Sequence, residues 1–187
     1  MLKRVVLTGL VLLALFAIVV AFQPSHYRVE RSIQIVAPTL TVFDHVNDFN
    51  RWAAWSPWTR LDPQARFSAE GAPSGQGAVL VWSGNDAVGS GRMEIVESRL
   101  GSSVDIATTF HRPIAGKSSA TFRFSRLEDN KTEVTWTIEG THSFLAKALS
   151  LFVGSDRALG PEMERGLVFL QSTAEAQPPT ALPAADK

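Results

Sequence analysis

The sequence predicts an α+β protein, in which a curved antiparallel sheet of about seven strands packs on a C-terminal helix and follows one N-terminal transmembrane helix. Changes of periodicity along the chain support this fold. An alternating pattern near residue 27 gives way to apolar residues three apart, and further strand patterns then run to residue 141. Short turn sequences separate these strands, as in an antiparallel meander. Helical spacing returns between residues 144 and 175.

The first element is the uncharged run of residues 5–22, which follows Lys3 and Arg4. At about 1.5 Å per residue it is roughly 27 Å long, close to the hydrocarbon thickness of a bilayer. We expect residues 1–24 to form a membrane anchor, and a signal peptide cleaved before Phe22 is the alternative. Because the positive charges precede the run, the N-terminus is expected in the cytoplasm and the rest of the chain beyond the inner membrane.

Residues 25–175 are expected to form one domain, since 187 residues suffice for a single full core and two appendages. A strand over residues 27–38 precedes a helix whose apolar stripe begins at Leu40. Thr39 is the expected cap of this helix. Six further strands are expected at residues 64–70, 78–84, 92–98, 103–111, 117–128 and 132–141.

Two helical patterns end the domain. In the first, Phe144, Leu145 and Phe152 lie on one helical face. Pro161 is expected in the first turn of the second helix, where its missing N–H leaves no bond unmade. Residues 176–187 contain three prolines and no periodicity, so a disordered tail is expected.

Composition excludes several classes of function. Eighteen basic residues balance eighteen acidic ones, so nucleic acid is not an expected partner. The chain has no cysteine, which removes disulfides, thiolate nucleophiles and cysteine-ligated zinc. Its four histidines lack the spacing of a metal site. We therefore expect no metal and no cofactor.

Several segments carry a resemblance to a known family. They are VERSIQIVAPTLTVFDHVNDFNRWAAWSPW, Asp62-Pro63, GQGAVLVWSG, GRMEIVES, TEVTWTIEG and GPEMERGLVFL. The chain resembles the SRPBCC or START-like superfamily over residues 27–173, and within it the bacterial, membrane-anchored proteins labelled polyketide cyclase/dehydrase. The resemblance implies a Bet v 1-like helix-grip fold with a cavity between the sheet and the last helix. It implies little about reaction, because the superfamily includes lipid carriers, receptors, aromatases and cyclases.

Strand alternation assigns one face of the sheet to large apolar side chains, with Thr108 as its clear polar member. Such a face suits an apolar ligand or an ordinary core, and it offers no charged group in the middle of a strand for acid–base catalysis. We expect no catalytic residue. The expected ligand-binding residues are Trp58, Trp82, Met93, Ile95, Ile106, Thr108, Phe110, Phe122, Phe124, Trp136, Met163 and Leu167.

The stretch WAAWSPW places three tryptophans at intervals of three. We expect Trp52 and Trp55 to pack in the core, because Trp52 continues the stripe of the preceding helix. Trp58 follows the Ser-Pro break, and either packing or ligand contact remains open for it.

The titratable residues have competing interpretations. His111 and Glu97 are the candidates for proton transfer at a cavity rim, although surface exposure is the simpler interpretation of both. His45 is expected to be exposed on its helix, His142 to cap or face solvent, and His26 to be solvated.

Three functions follow from these observations. The favoured one is a membrane-tethered domain that binds an apolar or lipid-like small molecule. The alternatives are a cyclase, aromatase or hydratase-type enzyme, and a non-catalytic interaction module of the cell envelope whose cavity has collapsed.

Overall fold

The computed structural model describes residues 1–176 of the chain, and the expected tail lies almost wholly outside them. One seven-stranded sheet dominates the fold, with strand order β1-β7-β6-β5-β4-β3-β2. Every neighbouring pair is antiparallel, which confirms the predicted meander. The strands are β1 (His26–Ile35), β2 (Arg66–Gly71), β3 (Ala78–Ser83), β4 (Ser90–Arg99), β5 (Ser103–Arg112), β6 (Gly116–Arg126) and β7 (Thr132–Thr141).

The chain begins with helix α1 (Leu2–Phe22), which is 21 residues long and apolar enough to cross a membrane. Nearly all of its side chains are exposed, and Val20 near its end is the one that is buried. Apolar side chains cover this helix on all sides, so transfer from water to an apolar environment is favourable for it.

Helix α2 (Thr39–Asn47) follows β1, and the short helix α3 (Trp52–Trp55) follows a single 3₁₀ turn. The expected cap was wrong, because the helix already includes Thr39, whose hydroxyl lies 3.1 Å from that of Thr132 in β7. The preceding Pro38 holds an extended conformation and takes the cap position, without a side-chain hydrogen bond. The predicted apolar stripe is wrong only at its first member, since Leu40 is 43% exposed whereas the later members Phe43 and Val46 are buried.

After β7, helix α4 (Phe144–Ser150) leads to the long helix α5 (Ser155–Glu175), which packs along β1, α2 and α3. The expected position of Pro161 in the first turn of the second helix was wrong, because α5 begins six residues earlier, at Ser155, and runs through the proline. Gly166 allows the close packing at the middle of α5. A Cβ at this position would lie 2.9 Å from Cδ of Pro57 and 3.1 Å from the Trp136 ring.

The core lies between α2, α3, α5 and the concave face of the sheet. Its centre is a cluster of aromatic rings in which Trp55 meets Phe122 at 5.9 Å and Trp136 at 6.0 Å, edge to face. Phe122 and Trp136 stack on each other across β6 and β7 at 4.8 Å. These contacts fix the helices on one half of the sheet.

Candidate functional site

A partly enclosed cavity of about 310 Å³ lies on the other half of the concave face. All seven strands contribute to its wall, together with residues 52–59 and the start of α5. Seven of the expected ligand-binding residues line it: Trp58, Trp82, Met93, Ile106, Thr108, Phe110 and Trp136.

The other five expected residues belong to the closed core and not to the cavity wall. Phe43 of α2 packs edge to face on Phe124 at 5.5 Å, and Trp55 of α3 does the same on Phe122. The helices therefore cover the half of the sheet that carries these side chains. The five residues are Ile95, Phe122, Phe124, Met163 and Leu167, all at most 6% exposed.

Aromatic side chains form two walls of the cavity. Trp58 stands edge to face on Trp136, with ring centroids 5.5 Å apart. On the opposite side Trp82 stands on Phe110 at 5.7 Å, and its indole N–H donates to the carbonyl oxygen of Val88 at 3.2 Å. Both contacts hold flat apolar surfaces toward the space between them.

The tryptophan stretch has two roles in the structure. Trp55 is fully buried, and its indole N–H donates to the carbonyl of His45 at 3.0 Å. Trp52 is buried too and donates to Val46 O at 2.9 Å, yet its ring also reaches the cavity wall. Trp58 is half-buried and lines the cavity directly.

Sequence reasoning missed several other lining residues. Leu80 and Ala120 share the inward parity of Trp82 and Phe122, so alternation could have found them. Tyr27 shares the parity of Val29 at the start of the predicted first strand, so alternation could have found it as well. Leu159 precedes the predicted second helix, and only the packing of α5 brings it to the wall. The lining residues outside the expected ligand-binding set include Tyr27, Trp52, Leu80, Ala120, Ile138 and Leu159.

The cavity wall is almost free of charge. Among the described residues that line it, Arg112 is the one charged side chain, and there is no carboxylate and no histidine. Arg112 is exposed at the mouth, where its guanidinium donates to Ser90 Oγ at 3.3 Å. Burial raises the pKa of the Tyr27 phenol, an effect that a hydrogen bond to Ser118 partly offsets. Tyr27 therefore remains a neutral hydroxyl at physiological pH.

The remaining titratable candidates lie away from the cavity. His111 is exposed, and Glu97 pairs with Arg99 at 2.7 Å. His45 was expected to be exposed, but it is 2% exposed because α2 turns that face onto the rest of the fold. His142 lies within 2.9 Å of Ser155 Oγ, and His26 is exposed as expected. No cluster of three metal-ligating side chains occurs within residues 1–176.

Asp62 has a structural role near the cavity, because its carboxylate joins two loops. It is 8% exposed, and its carboxylate accepts hydrogen bonds from Gln64 N at 3.0 Å and Asn85 N at 2.8 Å. These bonds tie the connection before β2 to the turn between β3 and β4, next to Trp82.

A second groove of about 290 Å³ continues from the cavity mouth. Tyr27, Phe110, Ile114 and Leu159 line both spaces. Its outer wall comes from α4 and the residues after it, so it runs between α4 and the ends of β5, β6 and β7.

The family model described as polyketide cyclase / dehydrase and lipid transport matches residues 26–175. This segment is most of the chain and contains the whole sheet, the cavity and α5. The chain belongs to this family. Its membership of the SRPBCC superfamily agrees with the helix-grip architecture, in which a curved antiparallel sheet encloses a cavity with the C-terminal helix. No curated protein matches the chain in sequence.

Solved structures share the fold of this polyketide cyclase/dehydrase-family chain at low sequence identity. Protein CV1439 from Chromobacterium violaceum is 14% identical with a TM-score of 0.58, over 83% of this chain and 100% of that one. Hypothetical protein jhp0584 from Helicobacter pylori is 12% identical with a TM-score of 0.60, over 79% and 88%. The di-domain ARO/CYC StfQ of the steffimycin biosynthetic pathway is 11% identical with a TM-score of 0.58, over 81% and 51%. At these identities the similarities show a shared fold and nothing about function.

Proposed function

We propose that this domain binds an apolar or lipid-like small molecule in the cavity and that α1 tethers it to the cytoplasmic membrane. The observation that carries the binding function is the cavity itself, whose aromatic walls lie against an otherwise filled core. Ligand sites in proteins are typically concave, mostly apolar and about 300–1,000 Å³ in volume.

The polar groups at the wall suit the recognition of such a molecule. Thr108 is 8% exposed and lies among apolar side chains, and Tyr27 keeps its phenolic proton. A ligand with a hydroxyl or carbonyl group could form one or two hydrogen bonds with these residues and bury the rest of its surface against the rings.

The composition of the wall favours binding over catalysis. General acid–base chemistry needs a titrating group within hydrogen-bond reach of the substrate. The two rim candidates of the sequence, His111 and Glu97, do not line the cavity. A cyclase or hydratase reaction would therefore depend on Tyr27, Arg112 and positioning by the walls.

The tether rests on the length and composition of α1. Its 21 residues at about 1.5 Å each extend roughly 32 Å, enough to cross the hydrocarbon core. Lys3 and Arg4 at its start favour a cytoplasmic N-terminus and a domain on the opposite side of the inner membrane. Retention of α1 in the mature protein distinguishes an anchor from a signal peptide.

Native mass spectrometry of residues 24–187, purified without detergent, tests the binding function. The match to CV1439 spans that whole chain, which supports folding of this domain without α1. We expect a mass excess that is released on denaturation, whose value identifies the class of ligand. A protein that carries no small molecule and takes up no added fatty acid would contradict the proposal.

A matched pair of variants tests the cavity as the site. Ala120→Phe introduces a ring at the cavity wall, whereas Ala107→Phe introduces it on the exposed face of β5. We expect the first variant to lose the mass excess and the second to retain it, with both unfolding cooperatively in urea. Equal retention in two folded variants would place the ligand elsewhere.

A further inference from the structure

The segment from Phe144 to Val153 exposes large apolar side chains along its whole length. It consists of α4 and the turn before α5, and none of the residues in α4 is buried. A contiguous apolar surface of this kind on a water-soluble domain marks a contact with a membrane or another molecule. Its exposed members are Phe144 (57%), Leu145 (58%), Leu149 (53%), Leu151 (37%), Phe152 (72%) and Val153 (54%).

This segment lies beside the end of α1. The ammonium group of Lys147 in α4 reaches the carbonyl oxygen of Ala21, the penultimate residue of α1, at 3.5 Å. Just after β7, His142 N donates to Ser25 O at 2.7 Å, which joins the exit of α1 to the entry of α4. The apolar segment therefore lies next to the C-terminal end of α1.

The charge of the segment suits a lipid surface. Residues 141–155 include Lys147 and no acidic residue. Anionic headgroups attract such a segment, and a lysine can keep its ammonium group in the interface while neighbouring apolar side chains enter the acyl region.

We propose that the segment Phe144–Val153 inserts into the lipid interface beside α1 and turns the mouth of the cavity toward the bilayer. This inference rests on the membrane tether of the proposed function. A single apolar helix fixes the distance of a domain from the membrane and leaves its rotation free. A second contact at this segment selects one orientation.

The groove next to the cavity gives this orientation a consequence. Ala146, Leu149 and Val153 of the segment form its outer wall. Its inner wall includes Tyr27 and Leu159, which also line the cavity. In the proposed orientation a lipid-like ligand can pass from the interface along this groove without crossing water.

The absence of cysteine from the chain allows a direct test with single labels. The full chain is reconstituted in vesicles of phosphatidylethanolamine and phosphatidylglycerol, with an environment-sensitive fluorophore at Phe152→Cys. Quenching by nitroxide lipids labelled near the headgroup reports lipid contact, and quenching by iodide reports water. Interfacial segments lie about 5–10 Å into the boundary of headgroups and acyl chains. We expect blue-shifted emission that nitroxide lipids quench and iodide does not.

Two further labels serve as controls. The first is Leu100→Cys, at a leucine that is 78% exposed in the turn between β4 and β5, at the end of the sheet opposite α1. Ten residues of β5 at about 3.3 Å each separate the two ends by roughly 30 Å. This label should be quenched by iodide alone. Leu12→Cys lies in the middle of α1 and reports insertion of the anchor itself.

The outcomes distinguish the membrane anchor of the proposed function from the interfacial contact proposed here. Lipid quenching at Leu12 and Phe152, with none at Leu100, is the expected result. A Phe152 label that behaves like the Leu100 label while Leu12 is quenched would overturn the interfacial contact and leave the anchor standing. A Phe152 label protected from both quenchers would also overturn it, because a protein surface would then cover the segment. If lipid quenches neither the Leu12 label nor the Phe152 label, both the membrane anchor and the interfacial contact are overturned.

Discussion

Gly91 of β4 creates room for one wall of the cavity. It lies opposite Trp82 on one side and Phe110 on the other. A Cβ at this position would lie 2.6 Å from the Trp82 ring and would also meet the carbonyl oxygen of Thr109. The indole can lie over β4 because this residue has no side chain.

Gly91→Ala should therefore destabilise the domain and displace Trp82. Overpacking of this kind typically costs about 1–3 kcal/mol in the free energy of unfolding. The measurement is urea unfolding followed by tryptophan fluorescence. Gly116→Ala is the matched control, since a Cβ there has no neighbour within 4 Å. Identical unfolding midpoints for the two variants would contradict the steric role of Gly91.

At the scale of single residues, strand alternation predicted which face of the sheet a side chain points to. It did not predict whether that side chain lines the cavity or is covered by the core. Ile106 and Phe122 both point to the concave face, as their parity indicates. Ile106 meets the cavity, whereas Phe122 lies under Trp55. The sequence holds no local signal for this difference, because the covering side chain comes from a distant helix.

The junction of α1, β1, β7 and α5 is built around His142. Its ring stacks on Tyr27 with centroids 4.6 Å apart, and its Nε2 lies 2.9 Å from Ser155 Oγ. Burial lowers the pKa of His142 below 6.5, and the nearby Lys147 ammonium lowers it further. The folded state therefore favours the neutral ring.

The stability of the domain should depend on pH through this histidine. The unfolded chain binds a proton near pH 6.5 whereas the folded ring resists it, so the stabilisation is complete above that pH and falls as the pH drops toward the lowered pKa. Arg31 lowers the pKa of Asp156, which changes stability only below its ordinary value of 3.8.

Urea unfolding of the wild type and His142→Gln, between about pH 7.5 and about pH 5.5, measures this effect around the ordinary histidine pKa. We expect the wild type to lose more stability than the variant on acidification. Because His142 is only partly buried, the difference should be small, and parallel pH profiles would show that the junction does not hold the neutral ring.

At the scale of elements, α4 departs most from what its pattern suggests. One-sided apolar spacing is typical of a helix that packs on a core. Here α5 already covers the concave face, so α4 lies at the edge and exposes its apolar residues. Pro161 is a similar case, since α5 tolerates one missing backbone hydrogen bond where tertiary contacts hold both sides.

On the scale of the whole molecule, the end of α1, the apolar segment Phe144–Val153 and the groove into the cavity share one end of the sheet. The opposite end carries the turns with Leu100 and Asp129, far from α1. This polarity supports the proposed orientation, in which a ligand would exchange with the membrane from the α1 end.

Phe152→Glu should slow the uptake of a fluorescent lipid from vesicles by the reconstituted protein. Burying a phenylalanine fully is worth about 1.5–3 kcal/mol, so a partial loss corresponds to a slowing of up to roughly tenfold. Leu100→Glu introduces the same charge at a similarly exposed position on the far end. Equal uptake rates in the two variants would contradict a route through the membrane-facing groove.

Local patterns in the sequence predicted the order of the strands, the inward direction of their side chains, the apolar helix at the start and a helix at the end. These features depend on periodicities of two and about 3.6 residues, which are local properties of the chain, whereas the family was recognised from its motifs. The set of side chains that line the cavity, the burial of His45 and the exposure of α4 followed only from the tertiary structure. Each depends on which distant element covers a given face, and a periodic pattern gives the direction of a side chain but not what packs against it.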